Sequence, residues 1–491
     1  MQSDIYRCIL SRMTPVAPLD LTWIPLTPKK SVVAHDLDFY KLFSLIRNKF
    51  STCYLFESLA LPRHQDRFHV IGFDPIAIFT GAGSTLTVQG DNAALSLILG
   101  GRCDGRCEVT LDNVDPYKVL SQAFPSHLQS ITHEGGLIGY FSHEAVNYFE
   151  PSLHLPEHKD FKGFRLGLYL DGLIYDTETN TLSYYTFGED RGGYVGGLLD
   201  DLTDHTIPCE LASTTFLGHS ATKDDFVRNV DAARRKIIEG YSFQIEVGFK
   251  SVFDITGDKL AIYHRLRMVN PSPYMYFLKF GELELMGASP EILVTNHQGV
   301  VSTTPTAGTI RRGDNEYEDR QLARTLLNDP KEIAEHNMLV DLHRNDIAKV
   351  SAPGSVRVMD SMFLIKFSHV QHIVSLITSV LAPNKTSFDL LASILPAGVT
   401  TGAPKIETIQ IISSLEKAPR GPYGGAVGRF SFNGDCDFCI PIRSLFCVGD
   451  RCFLQTSAGV VYDSIALSEY DEVIRKLSAM MRSINAVSVH A

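Results

Sequence analysis

Apolar positions follow two different periods along the chain. Between residues 20 and 210, short apolar runs alternate with turn signals, as in RFHVIGFDP and GLIGYFSHEAV, which predicts short strands. The segment FRLGLYLDGLIYDTETNTLSYYTF predicts a hairpin that turns near TETN. The stretch 190–221 is less periodic and rich in Gly, Ser and Thr. We therefore predict one domain over 20–210 and a boundary within 190–221.

Helical spacing becomes prominent after residue 221. The segment TKDDFVRNVDAARRKIIEG has a Thr N-cap, an acidic first turn and a Gly stop, which predicts a helix. Strand-like runs follow, and helices are predicted in DPKEIAEHNMLVDLHRNDIAKV, KIETIQIISSLEK and LSEYDEVIRKLSAMMRSINAV. This mixture predicts a second domain over 222–485 and an α/β (α+β) fold with much antiparallel sheet.

Charge and cysteine usage exclude several classes of protein. Lys and Arg total 45 against 56 Asp and Glu, and the net charge of −11 without a basic run argues against nucleic-acid binding. No apolar stretch approaches the ~20 residues that span a bilayer, and the first 20 residues lack a signal-peptide core. Nine scattered cysteines are typical of a reducing compartment. We predict a cytoplasmic protein that binds neither nucleic acid nor membrane.

Two predicted helices each carry a pair of glutamates three residues apart. The pairs are Glu332 with Glu335 and Glu469 with Glu472, and residues at this spacing share a helix face. Such pairs are often solvated surface. They also offer the hard oxygen ligands that Mg²⁺ prefers, so the pairs alone leave both interpretations open.

Four loops of small residues lie in the second half of the chain: TTPTAGTIRRG, ILPAGVTTGAPK, RGPYGGAVG and QTSAGVV. Glycine lets the backbone approach a ligand closely. Pro404 begins a predicted helix, whose free N–H groups favour an anion. Together the loops indicate a cavity around a compact polar molecule.

Four single residues are candidates for chemistry, each with an ordinary structural alternative. Arg443 offers a fork that matches a carboxylate, or a surface salt bridge. Lys476 shares a helix face with Glu472. His372 lies in an apolar run, where a core histidine is common. Glu291 leads into an apolar strand, which can raise the pKa of its carboxyl group and suit a general acid.

The motifs resemble, in order and over roughly 222–482, the chorismate-utilising enzymes, most closely their anthranilate synthase component I branch. The matching segments are GASPEILV, PTAGTIRRG, DPKEIAEHNMLVDLHRND, QHIVS, LPAGVTTGAPKIETI, RGPYGGAVGRFSFNGDCDFCIPIRS, SAGVVYDS and EYDEVIRK. The resemblance implies two large packed antiparallel sheets with external helices and the site in a cleft. It implies Mg²⁺-dependent conversion of chorismate and ammonia to anthranilate and pyruvate. No glutaminase segment is present, so a glutamine amidotransferase subunit (component II) is implied as the ammonia source.

The resemblance also implies roles on the metal side of the site. Glu335 and Glu472 would hold Mg²⁺ against the ring carboxylate of chorismate, with Glu332 and Glu469 in support. Lys476 would balance the acidic cluster.

On the substrate side, Glu291 would be the acid that helps expel the 4-hydroxyl, and His372 would assist proton removal as pyruvate leaves. The remaining implied substrate contacts are Tyr423 and Arg443 at the enolpyruvyl carboxylate, the backbone around Ala458 and Gly459, and Thr309 and Thr400 at the ring.

Two positions separate branches of the family. Relatives that add water carry a Lys base where this chain has Gln244, and a neutral amide suits an ammonia nucleophile. The aminodeoxychorismate branch has Lys within PIKGT, where this chain has Ala307. Both differences favour attack of ammonia at C2.

Some positions depart from the family pattern. Glu246 lies in a strand that is more apolar in relatives, Thr306 replaces Ile, and Ser457 and His343 replace Gly. Thr306 and Ser457 lie where the pattern places pyruvate elimination. Alternatives are therefore a 2-amino-2-deoxyisochorismate synthase, which aminates without losing pyruvate, and an aminodeoxychorismate synthase component I. A catalytically dead tryptophan sensor on the same fold is disfavoured because the expected glutamates and His372 are present.

The first half contains a weaker match. YLFESLALPRHQDRFHVIGFDP and NPSPYMYFL resemble the two parts of a tryptophan feedback pocket. The candidate inhibitor residues are Glu57, Ser58, Pro273, Tyr274 and Met275, and the alternative is that they are shared scaffold.

Overall fold

A computed structural model of the chain describes residues 18–59, 67–101, 105, 107–207, 212–366 and 370–484. Within these residues there are 24 strands and 11 α-helices. The helices are α1 Phe39–Lys49, α2 Asn92–Ile98, α3 Pro116–Ala123, α4 Gly192–Leu202, α5 Lys223–Ile238, α6 Leu260–Val269, α7 Glu316–Leu327, α8 Pro330–Ala348, α9 Ser387–Ile394, α10 Lys405–Leu415 and α11 Ala466–Ser483. Short 3₁₀ turns span His143–Tyr148 and Gly398–Thr400.

The strands fall into two groups along the chain. Those before α5 are β1 Lys29–His35, β2 Thr52–Glu57, β3 Phe68–Phe73, β4 Ala77–Ala82, β5 Thr85–Gly90, β6 Glu108–Asp112, β7 Gly136–Phe141, β8 Phe164–Tyr169, β9 Asp171–Asp176, β10 Thr181–Thr186 and β11 Ser213–His219. Those after α5 are β12 Gln244–Thr256, β13 Tyr274–Phe280, β14 Leu283–Ser289, β15 Ile292–His297, β16 Val300–Thr303, β17 Thr306–Arg311, β18 Arg357–Lys366, β19 Val370–Val380, β20 Gly402–Ala403, β21 Ala426–Phe430, β22 Cys436–Cys439, β23 Ser444–Val448 and β24 Arg451–Val460.

The strands form two antiparallel sheets of 12 strands each, which confirms the predicted fold class. Sheet I has the order β1-β10-β9-β3-β2-β13-β14-β23-β24-β12-β11, with β20 beside β12. Sheet II has the order β17-β19-β16-β15-β22-β21-β7-β8-β4-β5-β6, with β18 beside β19. Each sheet contains strands from both halves of the chain, because β2 pairs with β13 and β7 pairs with β21. The two domain ranges stay a prediction.

Side-chain alternation gives sheet I two buried faces. On β13, Tyr276 belongs to a core shared with sheet II residues such as Phe430 and Phe438. The next residue, Phe277, belongs to a second core with Phe43 of α1 and with residues of α5 and α11. Successive strand residues point to opposite faces, so sheet I is covered by sheet II on one side and helices on the other.

Several predicted elements are present with their expected ends. α5 has Thr222 as its N-cap, in a capping box with Asp225. The predicted hairpin is β9–β10, with its turn at 177–180. The stretch 190–221 differs from expectation because it contains α4 and β11. The helix α4 was not predicted because its glycines lower helix propensity. Burial of Val195 and Leu198 stabilises it in the folded protein.

A disulfide and the lengths of the helices complete the description of the fold. Cys447 and Cys452 are joined by a disulfide across the β23–β24 hairpin, where they stand opposite each other in register. No helix within the described ranges is long and apolar enough to cross a membrane.

Candidate active site

The two glutamate pairs lie at the starts of α8 and α11. The Asp329 side chain caps α8 by accepting from the Lys331 amide at 2.9 Å, and Pro330 is the first helical residue. This start fixes Glu332 and Glu335 in the first two turns of α8. Glu469 and Glu472 occupy the corresponding turns of α11.

The four carboxylates face one another. Burial raises the pKa values of Glu332, Glu335 and Glu469, and a neighbouring glutamate raises each further. Glu472 acts on all three. The structure therefore brings both predicted pairs into one acidic cluster, which we call the glutamate cluster.

Two lysines partly offset the negative charge of the glutamate cluster. Lys331 lowers the pKa values of Glu332, Glu335 and Glu469 against the effect of burial, and Lys476 does so for Glu335 and Glu469. Lys476 Nζ lies 2.8 Å from Glu472 Oε1, as their helical spacing predicted. No three His, Cys, Asp or Glu side chains in the described ranges converge closely enough to enclose a metal ion. The donor set nevertheless fits Mg²⁺ chemically, because carboxylate oxygens are the ligands that Mg²⁺ prefers and Glu472 acts electrostatically on the other three glutamates.

Gln244 connects the glutamate cluster to sheet I. It lies at the first position of β12, and its Nε2 is 3.2 Å from Glu335 Oε1 and 3.3 Å from Glu246 Oε1. Gly459 on β24 is opposite Glu246. A Cβ at Gly459 would stand 2.3 Å from Gln244 Nε2, so this close approach requires glycine. Ala458 is fully buried in the core beneath the strand.

Ser457 connects Tyr423 with Glu246. Its hydroxyl lies 2.9 Å from Tyr423 Oη and donates to Glu246 Oε2. Its carbonyl oxygen accepts from Lys476 Nζ at 3.0 Å. Burial raises the pKa of Glu246 to about 7, against the opposing effect of Lys476. Sequence analysis assigned Glu246 no role and placed Ser457 only near the step of pyruvate elimination, although Glu246 lies two residues after Gln244 and so on the same strand face.

Glu291 lies in a separate group at the start of β15. It is 3% exposed, and its Oε1 accepts from the Thr306 amide at 3.2 Å. Burial raises its pKa to about 8, although Thr306 and Arg443 lower it. Burial lowers the pKa of Arg443, and Glu291 opposes that shift. The predicted acid and the predicted carboxylate-binding arginine are thus neighbours.

His372 and Thr309 meet across the β17–β19 pair. His372 Nδ1 lies 3.0 Å from Thr309 Oγ1 and 3.2 Å from Gly308 O. Because a carbonyl oxygen only accepts, the proton belongs on Nδ1 and Nε2 carries the lone pair. Burial and then Arg443 lower the pKa of His372 to about 4. Gly308 has φ +69°, and a Cβ there would lie 3.0 Å from Glu332 Oε2, which links this group to the glutamate cluster.

Thr400 is held by an arginine that sequence analysis missed. Thr400 is buried in the 3₁₀ turn, and its carbonyl oxygen accepts from Arg420 Nη1 at 2.5 Å. Arg420 Nη2 also donates to Glu246 O at 2.9 Å. The carboxylate of Glu416 neutralises Arg420 through contacts of 2.6 and 2.8 Å. Arg420 therefore ties the Thr400 loop to β12.

This chain is similar to known proteins over the region that contains the motifs described above. A family model described as chorismate binding enzyme matches residues 59–482. The chain belongs to this family. Anthranilate synthase component 1 of Leptospira biflexa is 38% identical over 455 residues, which cover 92% of this chain and 95% of that protein. The same-named protein of Methanothermobacter thermautotrophicus is 36% identical over 94% and 95%.

A solved structure extends the likeness to three dimensions. Anthranilate synthase component I from Streptococcus pneumoniae TIGR4 superposes on this chorismate binding enzyme with a TM-score of 0.72 and 31% identity, covering 85% of this chain and 92% of that one. The similarity thus includes strands of both sheets.

The candidate inhibitor residues of this chorismate binding enzyme form a second group, on β2 and β13. Glu57 stands opposite Met275 in the register and is 5% exposed. Both of its carboxylate oxygens accept from Arg267, at 2.6 and 3.0 Å, and Tyr263 Oη donates to one of them at 2.9 Å. The carbonyl oxygen of Ser58 accepts from His69 Nε2 at 3.1 Å.

The remaining candidate inhibitor residues are Pro273 and Tyr274. Pro273 is buried, and Tyr274 pairs with Ser289 of β14. Because Arg267 and Tyr263 already occupy the carboxylate of Glu57, its evident role is to hold α6 against sheet I. Binding of an inhibitor by this group stays a prediction.

Proposed function

We propose that this chain is component I of an anthranilate synthase and converts chorismate and ammonia to anthranilate and pyruvate. The observation that carries the proposal is the position of the Gln244 amide, within hydrogen-bond distance of both Glu335 and Glu246. A neutral amide cannot act as the base that activates water, and here it stands beside the carboxylates proposed to hold the metal. The names and coverage of the relatives support the same activity.

Mg²⁺ is the cofactor that this site would take. Glu335 and Glu472 would hold it, supported by Glu332 and Glu469, since burial and then neighbouring carboxylates that include Glu472 raise the pKa values of the other three. When bound, the ion supplies positive charge for the ring carboxylate of chorismate.

Glu291 has the properties required for the amination step. With a pKa of about 8 it is protonated at neutral pH and can give a proton to the departing 4-hydroxyl, which leaves as water. Ammonia forms the bond to C2 as the ring double bonds shift. Arg443, next to Glu291, would bind the enolpyruvyl carboxylate together with Tyr423.

His372 has the properties required for the elimination step. Its lowered pKa keeps the imidazole neutral, so Nε2 can take the proton from C2. The bond from C3 to the enolpyruvyl oxygen then breaks, pyruvate leaves, and the ring becomes aromatic. Thr309 and Gly308 hold the imidazole orientation through Nδ1.

Two partners belong to the proposal. A glutamine amidotransferase subunit would supply ammonia, and free ammonium salt would replace it in an assay. L-Tryptophan would inhibit by binding near Ser58, Pro273, Tyr274 and Met275. The saturated carboxylate of Glu57 would then shape this pocket without contacting the amino acid.

The test uses purified chain, chorismate, Mg²⁺ and ammonium salt at mildly alkaline pH, with anthranilate fluorescence and pyruvate followed together. We expect both products to rise in step and EDTA to stop them. No consumption of chorismate under these conditions would refute the proposal, and turnover that ignores ammonium would refute the role of Gln244.

One observation favours a second candidate, a 2-amino-2-deoxyisochorismate synthase. The hydroxyl of Tyr423 is engaged by Ser457, at a position where relatives have Gly. A tyrosine held in this way has less freedom to bind the enolpyruvyl carboxylate during elimination. An aminated product without pyruvate in the same assay would establish this candidate instead.

A further inference from the structure

Glu246, Ser457 and Tyr423 form a chain of hydrogen bonds, of which the proposed mechanism uses only the tyrosine. The Ser457 hydroxyl donates to Glu246 Oε2 and lies 2.9 Å from Tyr423 Oη. All three side chains are buried. Because each member of such a chain limits what the next can donate or accept, the carboxylate at one end affects how the tyrosine at the other end meets a substrate.

Glu246 is ionised at the mildly alkaline pH of the proposed assay. Burial raises the pKa of its carboxyl group to about 7, and Glu335 and Glu472 raise it further. Lys476 is the chief charge partner of Glu246 and opposes these shifts, followed by the Ser457 hydroxyl. Glu246 in turn is first among the groups that raise the pKa of Lys476. Above pH 7 the carboxylate form therefore predominates, and a carboxylate only accepts hydrogen bonds.

The direction of the remaining contact follows from the number of hydrogens. A serine hydroxyl has one hydrogen, and Ser457 gives it to Glu246. The contact between Ser457 Oγ and Tyr423 Oη therefore uses the hydrogen of the tyrosine. Tyr423 has this hydrogen to give, because burial and then the charge of Glu246 raise the pKa of its phenol. The Tyr423 oxygen keeps only lone pairs for a further partner, so it is left as an acceptor.

The position of Ser457 is fixed by both neighbouring elements. Its carbonyl oxygen accepts from Lys476 Nζ of α11 at 3.0 Å. Gly248 of β12 stands opposite Ser457 in the register, and a Cβ on Gly248 would lie 3.0 Å from Ser457 Cβ. The glycine therefore leaves the room that the Ser457 side chain occupies.

We infer that Glu246 and Ser457 are specificity-determining residues, which engage the hydrogen of Tyr423 and so withhold this donor from the enolpyruvyl carboxylate of chorismate. A carboxylate needs N–H or O–H donors, and Arg443 is then left to supply them. The inference rests on the proposed function and names the residues that weaken one of its substrate contacts. Glu246 and Ser457 both depart from the family pattern and contact each other, so they act as one feature of this chain.

Calorimetric binding of chorismate with Mg²⁺, without ammonium and at mildly alkaline pH, tests the inference. Tyr423→Phe should change the Kd by less than about twofold, because the lost hydroxyl gives no hydrogen to the ligand. In Ser457→Gly the tyrosine hydrogen is released, and we expect the Kd to fall about tenfold, or about 1.4 kcal/mol. Adding Tyr423→Phe to Ser457→Gly should remove that gain.

Glu246→Gln should reverse the chain and keep its shape. Gln244 Nε2 lies 3.3 Å from Glu246 Oε1, so the oxygen of the introduced amide would stay there and its NH₂ group would face Ser457. Ser457 would then give its hydrogen to Tyr423, and the tyrosine hydrogen would be free for the ligand. We expect the Kd to fall as in Ser457→Gly and the gain to vanish with Tyr423→Phe. Loss of a negative charge alone would instead strengthen binding equally with or without the tyrosine hydroxyl.

The matched control is Thr456→Ala. Thr456 precedes Ser457 on β24, so its side chain points to the opposite face of the strand. We expect the Kd of this variant to stay within about twofold of the wild type, and Tyr423→Phe to have the same small effect in its background.

The outcomes separate the inference from the proposed function. If the Kd values follow the expected pattern but wild-type protein makes no aminated product in the activity assay, the proposed function fails and the role of Glu246 and Ser457 stands. If Tyr423→Phe alone weakens binding about tenfold, or if neither Ser457→Gly nor Glu246→Gln shows a gain that depends on Tyr423, the inference is refuted.

Two remaining outcomes also decide the question. Wild-type protein that does not bind chorismate would refute both proposals. If Ser457→Gly does not fold, Glu246→Gln provides the same comparison, and if neither folds, the effect of Tyr423→Phe in the wild type decides.

Discussion

Two regions of this molecule bury glutamate carboxylates, and they differ in how far neighbouring groups compensate the negative charge. Glu57 on β2 is matched by the Arg267 guanidinium and the Tyr263 hydroxyl, which occupy both of its oxygens. In the glutamate cluster on α8 and α11, burial and then neighbouring carboxylates that include Glu472 raise the pKa values of Glu332, Glu335 and Glu469. The first arrangement is complete within the protein, whereas in the second only Lys331 and Lys476 offset the charge of four carboxylates.

This difference predicts that Glu57 stabilises the fold and that the glutamate cluster binds a ligand. Removing one member of a matched buried pair leaves its partner unpaired and destabilises the protein. Removing one of several like charges relieves repulsion and leaves the fold intact, but it removes a ligand. Four experiments separate these cases.

The largest expected effect is on stability at Glu57. Glu57→Gln should lower the free energy of unfolding by about 3–5 kcal/mol, because Arg267 is then left buried without its counter-charge. Denaturant unfolding measures the change. The matched control is Glu178→Gln, a partly exposed member of a surface pair with Arg67, which should change stability by less than about 1 kcal/mol. Equal effects of the two substitutions would remove the basis of the comparison.

The next effect is on activity at the glutamate cluster. Glu335→Gln should reduce kcat/KM by about 10²–10³, since a ligand for the cation is lost at the centre of charge stabilisation. Its thermal midpoint should match or exceed that of the wild type, because one of the mutually repelling charges has gone. A large drop in the thermal midpoint would show that Glu335, like Glu57, stabilises the fold.

Addition of Mg²⁺ should stabilise the protein without any substrate. A ligand that binds only the folded state at 100 times its Kd contributes about 2.7 kcal/mol. We expect the thermal midpoint to rise with Mg²⁺ and to return on addition of EDTA, and we expect no such response in Glu472→Gln. A wild-type midpoint that ignores Mg²⁺ would contradict the assignment of the cluster as its site.

The smallest effect concerns Glu291, which burial keeps protonated at neutral pH although Arg443 lies beside it. Its folded pKa of about 8 means that the acid form is present below that pH and is lost above it. Activity should therefore fall about tenfold per pH unit above 8. Stability should also decline as pH rises between the ordinary carboxyl pKa and 8, because the folded state binds the proton more tightly than the unfolded state. A rate profile that stays flat from pH 7 to 10 would exclude Glu291 as the acid.

Local elements of this fold could be predicted from the sequence because their signals are local. The N-cap at Asp329, Pro330 and the three-residue spacing of Glu332 and Glu335 specify one helix end and one face. The pairing of β2 with β13 could not be predicted, since alternation identifies a strand but not its partner.

The same distinction applies to the candidate site. The conjunction of motifs predicted which residues it contains, and the structure brings the metal-side glutamates and Gln244 together. The contact between Glu246 and Ser457 depends on the register that sets Glu246 opposite Gly459, and no local pattern encodes that register.

The interleaving of the two sheets has a consequence for how this protein is made. Residues that pair between β2 and β13 are more than 200 positions apart in the chain. During synthesis the first half emerges with β3 and β8 available to pair with β2 and β7, but the other edge of each strand stays unpaired until β13 and β21 have left the ribosome. The nascent chain therefore carries two unpaired strand edges until its second half is made, and such edges are templates for pairing with other chains.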